Sequence, residues 1–219
     1  MARVRFSGVT RHFRGATRPA VAAVDLDVED GAVLVVTGSS GSGKTTLLRL
    51  AAGLEEPDQG AVSIGDGDPA GAEVAFVFQN YAVYPHLSVR ENISVPLRRT
   101  KAKKKHVTAA VEEVVTLLGL AELSKRPASS LSTSERMRVV LARSLVRRPD
   151  VLLMDEPLAN LEHGVRAEIR DQLVTAQQAF GTTTLYATAA VAEVPPLVGR
   201  VVRLEGGRLS EAHSGAVAE

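Results

Sequence analysis

The stretch Gly38-Ser39-Ser40-Gly41-Ser42-Gly43-Lys44-Thr45 follows directly after the short β-branched run Ala32–Thr37. It fits the pattern G-x-x-x-x-G-K-[ST]. Successive backbone N–H groups in such a loop can surround phosphate oxygens, and its glycines permit the positive φ angles that this shape requires. A helix is expected from near Gly43 to about Ala52. A buried strand, a glycine-rich loop and a helix in this order predict a phosphate-binding site.

The loop also carries two side chains that suit a nucleotide with Mg²⁺. Lys44 is expected to reach the β- and γ-phosphates, and the Thr45 hydroxyl is expected to ligate the ion. The start of the helix adds the positive end of its dipole. The nucleotide-binding candidates are Gly38, Ser39, Ser40, Gly41, Ser42, Gly43, Lys44, Thr45 and Thr46.

A second apolar strand candidate, Val151–Met154, runs into the pair Asp155-Glu156. An acid at the end of a buried strand lies at the carboxyl edge of the sheet, where Asp155 can hold Mg²⁺ through water. A carboxylate directly after it can orient and polarise an attacking water. Glu156 is therefore the candidate catalytic residue, and the pair favours nucleotide hydrolysis over transfer to a substrate hydroxyl.

Strand patterns alternate with helix patterns along the chain, which indicates an α/β fold with a largely parallel sheet. The expected strands are 3–9, 20–28, 61–64, 73–78, 151–154, 183–187 and 200–204. The expected helices include pieces of 88–126, a helix from about Ser134 to Val146, and 163–180. The tail after Leu209 is expected to be frayed.

Composition narrows the classes of function. The 219 residues include no cysteine, which excludes a disulfide scaffold, a thiolate zinc site and a cysteine nucleophile. The apolar runs are too short to span a bilayer, and the N-terminus lacks the apolar region of a secretory signal. The net charge of +1 gives no reason to expect a nucleic-acid partner.

Four of the six lysines lie in Lys101–Lys105, just after Arg98 and Arg99. This run has two interpretations. It is either a solvated helix face or loop, or a contact for anionic lipid headgroups or for an acidic loop of a partner.

Several further segments give the chain a family resemblance that extends from Val4 to Leu209. The chain resembles the ATPase subunits of ABC transporters, and among them the sugar-importer branch of the maltose and trehalose systems. The segments that carry the resemblance are Val9–Phe13, Phe78–Val89, Leu131–Arg136, Leu158–Glu162 and Thr184–Ala190.

The resemblance implies ATP and Mg²⁺ as ligands and gives each segment a role. Phe78–Val89 is similar to the Q-loop region, so Gln79 would contact magnesium and water, and the residues after it would lie near the permease. Phe13 would be the aromatic that stacks on adenine, although a plain core position remains open for it. Asn160 and Glu162 fall in the D-loop.

Leu131–Arg136 occupies the place of the family signature, Leu-Ser-Gly-Gly-Gln-Arg. In the family two subunits enclose ATP head to tail, and the signature of one subunit holds the γ-phosphate in the other. The corresponding dimer-contact candidates are Ser132, Thr133, Ser134 and Glu135.

The chain departs from the family at three places. Thr133-Ser134-Glu135 replaces Gly-Gly-Gln, so side chains would crowd the approach to the phosphate and Glu135 would add negative charge. Ala189 stands where the switch histidine is expected, and Glu162 replaces an aspartate. The loop, Gln79 and the acidic pair are kept. The sequence therefore predicts competent binding of nucleotide and Mg²⁺ with weakened hydrolysis.

The expected architecture is an ABC-type nucleotide-binding domain of the P-loop NTPase class. It would have a mostly parallel core sheet, an N-terminal antiparallel β lobe and a helical subdomain at about 86–148. Residues 1–219 are expected to form one ABC ATPase domain without the C-terminal regulatory domain of the sugar-importer branch.

Three hypotheses about function follow. The first is a transport ATPase subunit, on the inner face of the cell membrane through its permease, that drives import of a sugar or similar solute. The second is a regulatory or structural subunit that binds ATP and hardly hydrolyses it. In either case the partner subunit could be a second copy or another ABC ATPase. The third, a soluble ABC protein acting on DNA or ribosomes, would need tandem cassettes or a large insertion, for which 219 residues leave no room.

Overall fold

The structure is a computed structural model that describes residues 2–100, 103–190 and 199–211. Its strands are β1 (Val4–Arg11), β2 (Val21–Val28), β3 (Val33–Thr37), β4 (Gln59–Ile64), β5 (Val74–Val77), β6 (Val151–Asp155), β7 (Thr183–Thr188), β8 (Arg200–Glu205) and β9 (Arg208–Glu211). Its α-helices are α1 (Lys44–Ala51), α2 (Val89–Ser94), α3 (Lys104–Leu117), α4 (Thr133–Leu145) and α5 (His163–Phe180).

The strands form two sheets. The smaller is antiparallel, in the order β2-β1-β4, and the larger has the order β5-β6-β7-β3-β8-β9. All pairs in the larger sheet are parallel except β8 with β9. The expected α/β class, the antiparallel N-terminal lobe and the mostly parallel core sheet are confirmed.

The central strands β6 and β7 are buried along their whole length, as their unbroken apolar or threonine-rich sequences indicate. One apolar cluster packs α1 between the two sheets, and a second covers the opposite face of the larger sheet with helices. Helices α2, α3 and α4 all lie between β5 and β6 in the chain. The limits of a helical subdomain at 86–148 remain a prediction.

The sequence predicts a frayed tail after Leu209. This prediction is wrong for Ser210 and Glu211, which belong to β9. Leu209 pairs with Leu204, and Glu211 pairs with Val202, in the antiparallel hairpin of β8 and β9. Gly206 and Gly207, both with positive φ, form its turn.

Helix α4 begins one residue earlier than expected. Over the described ranges, no helix is long and apolar enough to cross a membrane.

Asn92, in α2, organises the chain before that helix. Its side chain is fully buried, and its Oδ1 accepts a hydrogen bond of 2.8 Å from the backbone N–H of Tyr84. Its Nδ2 lies 3.0–3.2 Å from the carbonyl oxygens of Tyr84, Leu87 and Ser88. One amide thus supplies the acceptor for the N–H of Tyr84 and adds a second donor to three carbonyls that already accept a backbone N–H.

We expect Asn92→Ala to lower the free energy of unfolding by about 1–3 kcal/mol, because it leaves the N–H of Tyr84 without its acceptor and removes the bonds from the amide nitrogen to three carbonyls. The matched control is Ser94→Ala in the same helix, which removes one hydrogen bond to Glu91 and should cost no more than about 1 kcal/mol. Urea unfolding of both variants gives the comparison. Equal losses in the two would show that Asn92 is an ordinary helix residue.

Candidate functional site

Two glycines of the loop 38–45 lie too close to other backbone for any side chain. A Cβ on Gly43, whose φ is 107°, would come 2.0 Å from the carbonyl oxygen of Ala20. A Cβ on Gly38 would come 2.3 Å from the carbonyl oxygen of Leu204. The loop is therefore packed directly against the chain before β2 and the end of β8, and glycine is required at both positions.

Lys44 begins α1 and is buried, with its side chain 4% exposed. Its Nζ donates hydrogen bonds of 2.8 Å to the carbonyl of Gly38 and 3.1 Å to that of Ser39. It also lies 3.2 Å from Oε1 of Glu156. A buried ammonium needs such acceptors, and the lysine and the acidic pair predicted separately from the sequence are in direct contact.

The next residue, Thr45, bridges to the end of β6. Its hydroxyl donates a hydrogen bond of 2.8 Å to Oδ2 of Asp155. Burial raises the pKa of Asp155 above its usual value, and the charge of Glu156 raises it further, whereas the bond from Thr45 and the charge of Lys44 oppose the shift. An ionised Asp155 is thus under-solvated, and a cation at this point would relieve it.

Glu156 stands just beyond β6 with a φ of 47°, an uncommon conformation for a residue with a side chain. Its backbone N–H donates a hydrogen bond of 2.9 Å to Ala187 on the neighbouring strand β7, and its carbonyl accepts one from Ala159. These bonds hold the turn that places the carboxylate beside Lys44.

These groups share one cavity of about 370 Å³. Its lining residues are Phe13, Ala20, Ser40, Gly41, Gly43, Lys44, Thr45, Thr46, Gln79, Asp155 and Glu156. Phe13 is 38% exposed, so the plain core interpretation of this residue is wrong. Ala20 was missed, because its main contact is a carbonyl against Gly43 and its side chain carries no signal in the sequence.

The signature positions 132–135 are not among the residues that line this cavity. Ser132 caps α4: its hydroxyl accepts a hydrogen bond from the N–H of Glu135, and the Glu135 carboxylate accepts one of 2.7 Å from the N–H of Ser132. This bond lowers the pKa of Glu135, with smaller contributions from Ser132's hydroxyl and nearby arginines. The carboxylate is thus turned back onto the helix end, whereas Thr133 is exposed.

The remaining predicted positions, Asn160, Glu162 and Ala189, are not among the residues that line the cavity. Asn160 donates a hydrogen bond of 2.8 Å from Nδ2 to the carbonyl of Gln79, which joins the segment after Glu156 to a residue of the lining. Glu162 precedes α5 and is exposed. Ala189 is exposed just beyond β7. The roles proposed for these three residues remain predictions.

Residues 21–159 match the ABC transporter family. The chain belongs to this family. It is 42% identical to the ATP-binding protein MsiK of a diacetylchitobiose uptake system from Streptomyces coelicolor, over 98% of this chain and 58% of the relative. It is 40% identical to the trehalose/maltose import ATP-binding protein MalK of Thermococcus litoralis, over 98% of this chain and 60% of the relative.

The chain thus spans about three fifths of the length of these two relatives. Its fold matches an ATP-binding cassette solved as a dimer in a post-hydrolysis state with ADP and Pi bound. The TM-score is 0.81, the identity is 24%, and the match covers 95% of this chain and 98% of that one. Because the identity is 24%, this structural similarity shows the fold alone.

We expect Asp155→Asn to stabilise the nucleotide-free protein at pH 7. A raised pKa means that folding disfavours the charged carboxylate, so this cost is full above the folded pKa and absent below the unfolded value near 3.8. The advantage of the variant should therefore shrink as the pH is lowered from 7 toward 4. Urea unfolding at several pH values measures it.

The control for this experiment is Asp27→Asn. Hydrogen bonding to Arg3 lowers the pKa of Asp27, so the carboxylate is favoured by folding and its removal should destabilise the protein at pH 7. Changes of the same sign in both variants would contradict the account of Asp155.

Proposed function

We propose that the chain binds Mg-ATP in the cavity around Lys44 and hydrolyses it slowly. The observation that carries the proposal is the buried Nζ of Lys44 at the N-terminus of α1. It contacts two loop carbonyls and the carboxylate of Glu156. Phosphate oxygens are stronger acceptors than the carbonyls and can take over the ammonium. The curated relatives, which are ATP-binding subunits by name, support the same ligand.

The donor set fits Mg²⁺. Over the described ranges, no group of three or more His, Cys, Asp or Glu side chains could hold a metal ion alone. Mg²⁺ instead takes one or two protein oxygens together with waters and substrate phosphates. The Thr45 hydroxyl and the Asp155 carboxylate, 2.8 Å apart, offer such oxygens. The bound ion neutralises charge on the β- and γ-phosphates.

In the hydrolytic step, Glu156 would accept the proton of the attacking water. In the nucleotide-free protein this carboxylate is paired with Lys44, 3.2 Å away. When the γ-phosphate takes over the ammonium, the pair is broken and Glu156 becomes free to act as the base. Lys44 then stabilises charge that develops on the phosphate, and Gln79 lies in the same cavity to position the water.

The proposed setting is a transporter. The named relatives serve uptake of diacetylchitobiose and of trehalose or maltose, so we propose import of a sugar or similar small solute. The chain would work as one ABC ATPase domain on the inner face of the cell membrane, bound to permease subunits. We also propose that a second ATPase subunit, either another copy or a different ABC chain, completes the site, which agrees with the position of the signature outside the cavity of its own chain.

We expect Glu156→Gln to keep ATP binding and to abolish the hydrolysis that the assembled transporter shows, since an amide has nearly the same shape but cannot accept the proton. Turnover and calorimetric binding should be measured with permease and partner subunit present. Glu205→Gln, on the exposed end of β8, is the control for loss of a carboxylate, and Lys44→Ala is the non-binding reference.

If Glu156→Gln hydrolyses ATP at the rate of the unaltered chain, Glu156 is not the base. If ATP binds and neither protein hydrolyses it, the regulatory subunit is the correct hypothesis. Equal affinity of the unaltered chain and Lys44→Ala for ATP would overturn the binding site itself.

We expect Ala189→His to raise turnover by up to about 10²-fold, because it restores a donor at the γ-phosphate. The effect should be larger when Thr133-Ser134-Glu135 is also changed to Gly-Gly-Gln, since both repairs act on one composite site and are therefore coupled. Ala190→His, at the adjoining exposed position, is the matched control. Unchanged turnover after the double repair would show that these departures do not limit hydrolysis.

A further inference from the structure

Phe13 is held from one side by an arginine. The guanidinium carbon of Arg11 lies 4.9 Å from the centre of the Phe13 ring, within the range of a cation–π contact. Among the described residues, Phe13 lines the nucleotide cavity and Arg11 does not. The ring thus has one contact with an arginine that is not part of the cavity lining.

Arg11 is itself fixed by two carboxylates. Its Nη1 lies 2.9 Å from Oδ1 of Asp58, and its Nη2 lies 3.1 Å from Oε2 of Glu55. Glu55 is paired on its other oxygen with Arg49, the residue near the end of α1. The guanidinium is thus oriented from its outer edge, while its buried Nε forms no hydrogen bond within the described residues.

Asp58 holds the backbone as well as the guanidinium. Its Oδ2 accepts a hydrogen bond of 2.6 Å from the N–H of His12, between Arg11 and Phe13. This bond lowers the pKa of Asp58, so the carboxylate stays charged at neutral pH. The carbonyl of Arg11 accepts a hydrogen bond from Ala20, whose own carbonyl packs against the phosphate loop.

We propose that Arg11, oriented by Asp58 and Glu55, is a positioning residue that sets the Phe13 ring to stack on the nucleotide base. The inference rests on the proposed ATP site and adds a residue that acts on the base alone. A ring fixed before binding loses less conformational freedom when the base stacks on it. The hydrogen bond from Ala20 to Arg11 also joins the backbone before Phe13 to a residue that packs against the phosphate loop.

The test compares two probes that share the phosphate chain. Arg11→Gln should weaken ATP binding about two- to tenfold, as expected when one side chain must be ordered on binding. Inorganic tripolyphosphate with Mg²⁺ lacks the base, so its affinity should not change. The matched control is Arg5→Gln, on the same strand β1 and likewise paired with an acid, Asp27, which should change neither affinity.

A second measurement follows the ring without nucleotide. The chain contains no tryptophan, so Phe13→Trp introduces a single fluorescent reporter. Adding Arg11→Gln to this variant should lower the fluorescence anisotropy of the indole, because the ring is released. Arg5→Gln in the same background should leave the anisotropy unchanged.

The inference is overturned if Arg11→Gln binds ATP as the unaltered chain does, if it loses ATP and tripolyphosphate affinity equally, or if the anisotropy of the indole does not fall. A failure of the proposed function gives a different result, since the unaltered chain would then bind neither ATP nor tripolyphosphate.

Discussion

Lys44 places an ammonium group inside the protein, and the surrounding structure has to supply its acceptors. Two of them are carbonyls of its own loop, and the third is the carboxylate of Glu156. A buried charge without partners costs several kcal/mol, so this requirement fixes the curvature of the loop and the position of the strand that ends beside it. The loop can curve in this way only because Gly43 and Gly38 admit the backbone of Ala20 and Leu204. The loop is therefore shaped by contacts with three other segments of the chain, which contain Ala20, Glu156 and Leu204.

The parallel sheet brings these segments together. β3 and β6 both pair with β7, in registers that align Thr37 with Thr188 and Asp155 with Ala187. Because parallel strands end at the same edge, the loop after β3 and the acids after β6 meet across one intervening strand. Ala189 directly follows that intervening strand, which is consistent with the role proposed for this position. Asn160 then joins the segment beyond Glu156 to the backbone of Gln79, a residue of the cavity lining.

Features that depend on local pattern could be predicted from the sequence. The loop 38–45 and the acids after Val151–Met154 stand in order along buried strands, and the structure places them in contact. Features made by contacts between distant segments could not be predicted. Arg11, Glu55 and Asp58 look like ordinary surface charges in the sequence, and only the antiparallel pairing of β1 with β2 and β4 places them around Phe13. The same limit applies to β9, whose strand pattern is short and becomes evident only through its pairing with β8. Lys103, Lys104 and Lys105 are exposed, which fits both interpretations of the lysine run, and Lys101 lies outside the described residues.

The three departures from the family pattern do not bear equally on the proposed activity. Glu135 keeps a function that glutamine could also serve, because a carbonyl or carboxylate oxygen at this position accepts the N–H of Ser132 and completes the cap of α4. Its charge is directed at the N-terminal end of that helix, where the dipole and Arg126, 4.0 Å away, partly offset it. Thr133 is exposed at the same helix end, so its bulk, rather than the charge of Glu135, is what an approaching phosphate would meet. At Ala189 nothing replaces the missing donor: a methyl group can donate no hydrogen bond, and the nearby hydroxyl of Thr188 already donates to the carbonyl oxygen of Ala190. If the roles proposed for these positions hold, the change at Ala189 would weaken this chain's own site, whereas the change at Thr133 would weaken the site of its partner.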